Sequence, residues 1–340
     1  LKVFINKKIL LTGGAGFIGS HAVRYFLQQG YQVVVFDNFS RGFHQALEVL
    51  ANLGDLQVIE GDLQDSSLIS RVLSEGDFAG VLHFAALCLV SESMSVPELY
   101  FANNVLGSFN LLEACRQAGV KKFIFSSTCA VYGEANYLPL DENHPKHPTN
   151  PYGTSKLMVE EMLEWYGKLH GFSYAILRYF NVCGSSSDGL IGDSKKPSQL
   201  LMQNAVRGAM QLDSFSYTCP EVATPDKTPI RDYIDVEDLV AAHYLAYRRL
   251  ETDDNFREAI NLSNGVGYSV KQIVQAVEKD FGVEIAKCTP AQLRQGEYPA
   301  VYALPKKAQQ LLGWQTQKTL EQSIASLRLW YQHHPHGWDY

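Results

Sequence analysis

The chain has 340 residues, 46% of them hydrophobic and 19% charged, with a formal net charge of −7. This is ordinary globular composition, with room for two domains or one large α/β unit. Acids and bases are interleaved, with no basic stripe and no run approaching the roughly 18–20 apolar residues of a membrane span, so neither a nucleic acid nor a membrane is an expected partner.

Short β-branched or aromatic runs alternate with amphipathic segments through the first half. Strands are predicted at Ile9–Thr12, Gln32–Asp37, Leu56–Gly61, Gly80–Ala85, Lys121–Ser127 and Tyr174–Tyr179, with helices such as Gly19–Gln29 and Val105–Ala118 between them. Such alternation implies right-handed βαβ crossovers. Near-continuous apolar runs ("VVVF", "FIFSS") fit strands buried on both faces. After Asn181 the texture changes: "CGSSSDGLIGDSKKPSQ" reads as a long loop and "CPEVATPDKTP" as a second irregular stretch. Shorter helices follow near Leu200–Met210, Val236–Leu250, Ser269–Phe281 and Pro305–Leu312. The expected class is α/β, a Rossmann-type doubly wound parallel sheet with a smaller C-terminal α/β substrate-binding lobe, divided at residues 1–181 and 182–340.

The six cysteines are scattered with no C-x-x-C spacing, so no metal site and no disulfide framework is expected, and reduced thiols in a cytoplasmic protein are. The N-terminal "LKVFINKKILLTGG" does not read as a secretory signal.

In "KKILLTGGAGFIGSH" a strand runs into glycines and then a helix, with Gly13, Gly16 and Gly19 spaced G-x-x-G-x-x-G. Glycines let the backbone approach a pyrophosphate, which rests on the free N–H groups and positive end of the helix. Asp37 ends the next strand about 20 residues on, where a carboxylate accepts from the adenosine ribose hydroxyls and disfavours a 2′-phosphate. NAD is therefore the expected cofactor, with Arg41 nearby as the complication. Asp62 is a candidate for the adenine edge or, equally, a helix N-cap.

"NPYGTSK" sets Asn150 and Pro151 as helix-start signals and places Tyr152 and Lys156 one turn apart on one face. A phenol is a poor base near pH 7 unless a cation favours its phenolate. Spacing alone also suits an ordinary helix surface. The strand end "FIFSSTCAVYG" supplies Ser126, Ser127 and Thr128 at the carboxyl edge of the sheet, where ligands bind. Thr128 is the expected partner of Tyr152 on the substrate oxygen, and Ser126 the hydroxyl that caps local backbone.

Together "TGGAGFIGSH", "DNFSRG", "GDLQD", "NNVLGSFNLLEA", "SSTCAVYG", "PYGTSK", "LRYFNVCG", "RDYIDVEDL" and "LSNGVGYSV" resemble the UDP-glucose (UDP-galactose) 4-epimerases of the extended short-chain dehydrogenase/reductase family, from Ile9 to about Trp314. The resemblance implies 4-epimerisation of a UDP-hexose through a transient 4-keto sugar, with Tyr152 as base, Lys156 as its tuner and NAD as internal hydride carrier. It implies that Gly13, Gly16, Phe17, Ile18, Gly19, Asp37, Asn38, Asp62, Leu63, Phe84, Ala85, Ala86, Asn103, Ser126, Tyr152, Lys156 and Tyr179 hold NAD. On the substrate side it implies Thr128, Tyr152, Asn181, Ser198, Gln199, Leu200, Arg231, Arg294 and Val301. It also implies that the segment of about 228–250 returns to the first domain, that the enzyme is a homodimer, and that galactose metabolism is its setting.

Departures are visible. "YTCPEVATPDKT" replaces the usual segment before R-D-Y, and Cys88 stands where some relatives have lysine. Val301 aligns with a pocket residue that is tyrosine in members confined to unacetylated sugars, so UDP-GlcNAc and UDP-GalNAc join UDP-Glc and UDP-Gal as expected substrates. Epimerases of UDP-arabinose or UDP-glucuronate are the alternative. A 4,6-dehydratase needs acid and base after the catalytic threonine, and Cys129-Ala130 supply neither.

Overall fold

The structure, a computed structural model, describes residues 7–195, 198–220, 222–285, 288–291 and 298–338. The chain divides into two compact units, one formed by Leu1–Gly133, Pro145–Arg178 and Val240–Ile260, the other by Glu134–His144, Tyr179–Leu239 and Asn261–Tyr340.

The first unit is built on six strands, β1 (Lys8–Thr12), β2 (Gln32–Asp37), β3 (Leu56–Glu60), β4 (Gly80–His83), β5 (Lys122–Thr128) and β6 (Ser173–Tyr179), with Arg257–Leu262 beyond β6. The sheet order is Arg257–Leu262, β6, β5, β4, β1, β2, β3. The β3–β2, β2–β1, β1–β4 and β4–β5 ladders are parallel. The apolar runs of β1, β2, β4 and β5 are buried nearly throughout, as strands covered on both faces must be. The edge strand β3 differs, and its Val58 is 42% exposed. One contiguous core joins Leu10, Val34, Phe36, Val81, Phe123 and Phe125 of the sheet to Ile69, Leu111, Leu112, Val159 and Leu163 of the helices. Burial of each such side chain contributes about 1.5–3 kcal/mol.

Three helices of this unit shape the site. Phe17–Gln28 (α1) follows the glycine loop. The helix expected from Val105 is regular only over Gly107–Ala118, because Phe101–Leu106 forms a π-turn, a wide turn often found at functional sites. Pro151–His170 starts as the sequence predicts: the Asn150 side chain accepts from the Gly153 amide at 2.8 Å, Pro151 takes the first position, and Gly171 at φ +70° ends the helix.

The second unit centres on the strand Ile230–Asp235. It pairs antiparallel with Gly267–Ser269 and parallel with both Asn181–Cys183 and Ala300–Val301. A parallel ribbon joins Tyr217–Pro220, which runs into the first two residues of the stretch read as irregular, to Cys288–Ala291. Helices Leu201–Ala209, Val270–Phe281 and Leu320–His333 pack together, the last two opened by the reciprocal caps Ser269–Gln272 and Thr319–Gln322.

Cys88, Cys115, Cys129 and Cys183 are free thiols, but Cys219 is disulfide-bonded, so the expectation of reduced thiols fails there. Spacing along the chain is blind to pairs that folding brings together. Among the described residues no helix is long and apolar enough to cross a membrane, and no cluster of histidine, cysteine, aspartate or glutamate could hold a metal.

Candidate active site

With β1 flanked by β2 on one side and β4 on the other, the strand order reverses at β1/β4, and open α/β sheets bind ligands beyond the carboxyl ends of the strands at such a point. The Phe84 and Ala85 amides both bond Thr12 O, at 2.9 and 3.0 Å, which draws the chain after β4 against the glycine loop. Gly13 lies at φ +74°, and a Cβ there would meet Ala85 N at 2.5 Å. A Cβ on Gly19 would collide with Gly13 O, whereas one on Gly16 would face open space but for Gly13 O at 3.5 Å. Two glycines thus permit close packing, while Gly16 lies where an approaching ligand would need room. No side chain caps α1 at Gly16, so its first-turn amides present a positive end to an anion. These residues fit a dinucleotide.

Asp37 is 8% exposed, and burial pushes its carboxyl up from the usual range. Its Oδ2 accepts from Ala15 N and its Oδ1 from Phe39 N, each at 2.9 Å, so the carboxylate is aimed by the loop itself and keeps lone pairs for a ribose. Arg41, the possible phosphate partner beside it, is drawn to Glu92 at 2.6 Å. Asp62 accepts from Asn38 Nδ2 and Gln64 N, both at 2.8 Å. It is not the N-cap weighed for it, because Asp65 caps the Ser66–Gly76 helix. Asn38 also accepts from Ser40 N. Phe17 is buried, and Ile18 is partly exposed one residue further along α1. Leu63 is buried and faces Gly107, the Phe84 ring lies tilted against that of His243 at 4.9 Å, and Ala85 and Ala86 remain partly exposed. Tyr179 ends β6.

At the end of β5 the reactive candidates converge. Tyr152 is half-buried, with Tyr100 edge-on at 6.4 Å. Lys156 is 4% exposed, donates to the Ser126 carbonyl at 2.8 Å and lies 4.8 Å over the Phe125 ring. Burial pushes its ammonium down to about 8, opposed by Cys88 and Glu160. Thr128 Oγ1 accepts from Ala130 N at 3.1 Å. Thr128 therefore caps local backbone, a role expected of Ser126 rather than of Thr128, because the chain turns into a 3₁₀ segment at Cys129–Val131. As an acceptor in that bond, Thr128 keeps its hydroxyl proton for another partner.

Several supporting residues, Asn104, His83 and Glu160 among them, were not candidates in the sequence. Asn104, in the π-turn and 2% exposed, accepts from Leu87 N and donates to Leu87 O and Ser155 Oγ, tying the segment after β4 to the Tyr152 helix. Asn103 Nδ2 donates to the same Asn104 oxygen at 2.9 Å. His83 is wholly enclosed and pushed down to about 3 by burial. Ser108 gives its proton to Asn104 O, so His83 Nε2–H donates to Ser108 and Nδ1 accepts from Thr12. Glu160 follows Lys156 by one turn and is gripped by Arg178. The only early signal for it was the i, i+4, i+8 spacing from Tyr152.

In the second unit, Asn181 and Arg231 lie on adjoining strands, and Val301 is the register partner of Arg231. Val301 is 6% exposed. Arg231 Nη1 donates to Ile230 O, and Ser198 donates to Asp193 Oδ2. Gln199 is exposed, and Leu200 precedes the Leu201–Ala209 helix. Arg294 lies outside the described residues.

Residues 9–263 match the model of the NAD dependent epimerase/dehydratase family. The chain belongs to that family. It is 39% identical to a UDP-glucose 4-epimerase of Halalkalibacterium halodurans over 97% of each chain. It is 40% identical to a probable UDP-arabinose 4-epimerase of Arabidopsis thaliana, covering 97% of this chain and 82% of that one. The crystal structure of UDP-glucose 4-epimerase from Bifidobacterium longum in complex with NAD+ and UDP superposes with a TM-score of 0.92 at 35% identity, covering 98% of this chain and all of that one.

Proposed function

We propose that this NAD-dependent epimerase inverts C4 of a UDP-hexose, interconverting UDP-Glc and UDP-Gal through a 4-keto sugar. The observation that carries the reading is Lys156, buried on the Ser126 carbonyl, with Tyr152 one turn before it and Thr128 two residues beyond Ser126. End-to-end similarity to UDP-glucose 4-epimerases supports it. The first unit is the NAD-binding part and the second the nucleotide-sugar part.

In this reading Tyr152 takes the proton of the sugar 4-hydroxyl and later returns it. Lys156 keeps the phenolate accessible, and its burial strengthens that field by excluding water. Thr128 hydrogen-bonds the same sugar oxygen and orients it. Bound NAD supplies hydride acceptance and return, so no net redox change occurs. Arg231, with Arg294, meets the diphosphate, where a guanidinium offers two parallel donors, and Asn181, Ser198, Gln199 and Leu200 line the rest of the substrate side. A second reading, a UDP-arabinose 4-epimerase, is favoured only by relatives such as the Arabidopsis enzyme, and the same chemistry would serve it.

Two further parts of the proposal have their own supports. The chain forms a homodimer, since Leu99, Phe101, Leu106 and Phe109 before and along one helix, and Met158, Trp165 and Leu169 on another, are large apolar side chains left exposed on the first unit. A cytoplasmic setting in galactose metabolism fits the nucleotide-sugar reaction and the four free thiols.

Tyr152→Phe is expected to lower turnover of UDP-Gal by a factor on the order of 10²–10⁴ while bound NAD stays with the purified protein. Unchanged turnover would remove Tyr152 as the base. The wild type is expected to turn over UDP-GalNAc as well as UDP-Gal, and Val301→Tyr to abolish only the larger activity. A wild type inactive on UDP-GalNAc rules out the wider sugar scope. Sedimentation at micromolar concentration should return twice the chain mass, and Trp165→Asp should return the monomer. A wild-type monomer would rule out the dimer.

A further inference from the structure

Beneath the Tyr152–Lys156 turn lies a polar cluster that the chemistry does not use directly. Glu160 is fully buried and Arg178, on β6, is 2% exposed. Arg178 Nη2 donates to Glu160 Oε2 at 2.6 Å and its Nε to Oε1 at 2.9 Å, a two-pronged pair. Ser127 Oγ donates to Glu160 Oε1 at 2.6 Å. Arg178 Nη1 meets the Tyr132 hydroxyl at 3.0 Å, with its guanidinium 5.1 Å from that ring.

A buried ion pair is poor grounds for stability. Apolar side chains of similar volume often serve as well or better, because desolvation offsets the attraction. What this pair grips is more telling. Ser127 stands between Ser126, whose carbonyl holds Lys156, and Thr128, the candidate substrate contact. Side chains alternate along a strand, so Ser127 faces away from both neighbours. Glu160 holds the strand by that residue while sitting one turn beyond Lys156 on the same helical face. One carboxylate therefore links β5, β6 and the Pro151–His170 helix at the level where the reacting groups meet.

We infer that Glu160, Arg178 and Ser127 are positioning residues for the epimerase reaction: they set the register between the end of β5 and the Tyr152–Lys156 turn, and so the placement of Lys156 and Thr128. The inference rests on Tyr152 and Lys156 as the reacting pair, which Tyr152→Phe tests separately.

The charges around this cluster are few among the described residues. Facing Lys156 are Glu160 on its own helix, Cys88 after β4 and the neutral His83 on β4. Facing Glu160 are Arg178 and, at 4.0 Å, Lys146, which also reaches Glu164 at 3.7 Å. Glu160 favours the protonated form of Lys156, so its removal must shift deprotonation of Lys156 to lower pH.

The test is the triple variant Ser127→Ala/Glu160→Leu/Arg178→Met, which fills the same space with apolar groups and leaves Tyr152, Lys156 and Thr128 in place. The expected result is a folded protein that retains NAD, with KM for UDP-Gal within about twofold of wild type and kcat lower by about tenfold or more, since an ångström of misplacement at reacting groups can cost about 10². A folded triple variant with wild-type kcat would overturn the inference. If the triple variant does not fold, Ser127→Ala, which keeps the ion pair, decides: a several-fold loss of kcat at constant KM supports the inference, and unchanged kcat refutes it.

Discussion

The hydrogen bond from Lys156 to the Ser126 carbonyl is the constraint around which the rest is arranged. An ammonium buried to 4% exposure is costly unless something accepts its protons, and water is largely excluded here. The Ser126 carbonyl supplies one acceptor and the Phe125 ring face another attraction. For both to be in reach, the end of β5 and the second turn of the Pro151–His170 helix must meet in a single register. Asn150 and Pro151 fix where that helix begins, and Glu160 ties its third turn to β5 and β6. The charge proposed to tune Tyr152 thus also dictates the packing beneath it.

The cofactor side obeys a different constraint, close backbone approach. Thr12 O collects two amides from the chain after β4, and that contact is possible because Gly13 lacks a Cβ. The same glycine loop donates Ala15 N to Asp37, so the residue that would select NAD is aimed by the loop that would carry the pyrophosphate. Binding and discrimination are coupled through one hydrogen bond. Removal of Arg41 toward Glu92 completes the preference.

Much of this was legible in the sequence, for reasons that can be named. The inner strands announce themselves because burial on both faces demands continuous apolar runs, and Gln32–Asp37 was bounded correctly on that pattern alone. The start of the Tyr152 helix was marked by residues whose effect is local, Asn150 and Pro151. What stayed hidden depends on distant contacts. Nothing local distinguishes Asn104 from Asn103, yet only the former bridges Leu87 and Ser155. Glu160 and Arg178 look like surface charges until β6 is laid beside β5. That Thr128 caps the backbone was missed because the 3₁₀ turn after β5 is not written in propensities. The ribbon at Tyr217–Pro220 and the bonded Cys219 lie in a segment that departs from the family pattern, where neither periodicity nor resemblance could help.

The central claim is that this chain oxidises and re-reduces one sugar carbon without consuming cofactor. It is tested most directly by proton NMR of UDP-Gal incubated with the purified protein and no added NAD. UDP-Glc signals are expected to grow to a constant ratio, approached equally from UDP-Glc, with no 4-keto-6-deoxy product. Accumulation of such a product, or no conversion by protein that demonstrably carries NAD, would contradict it.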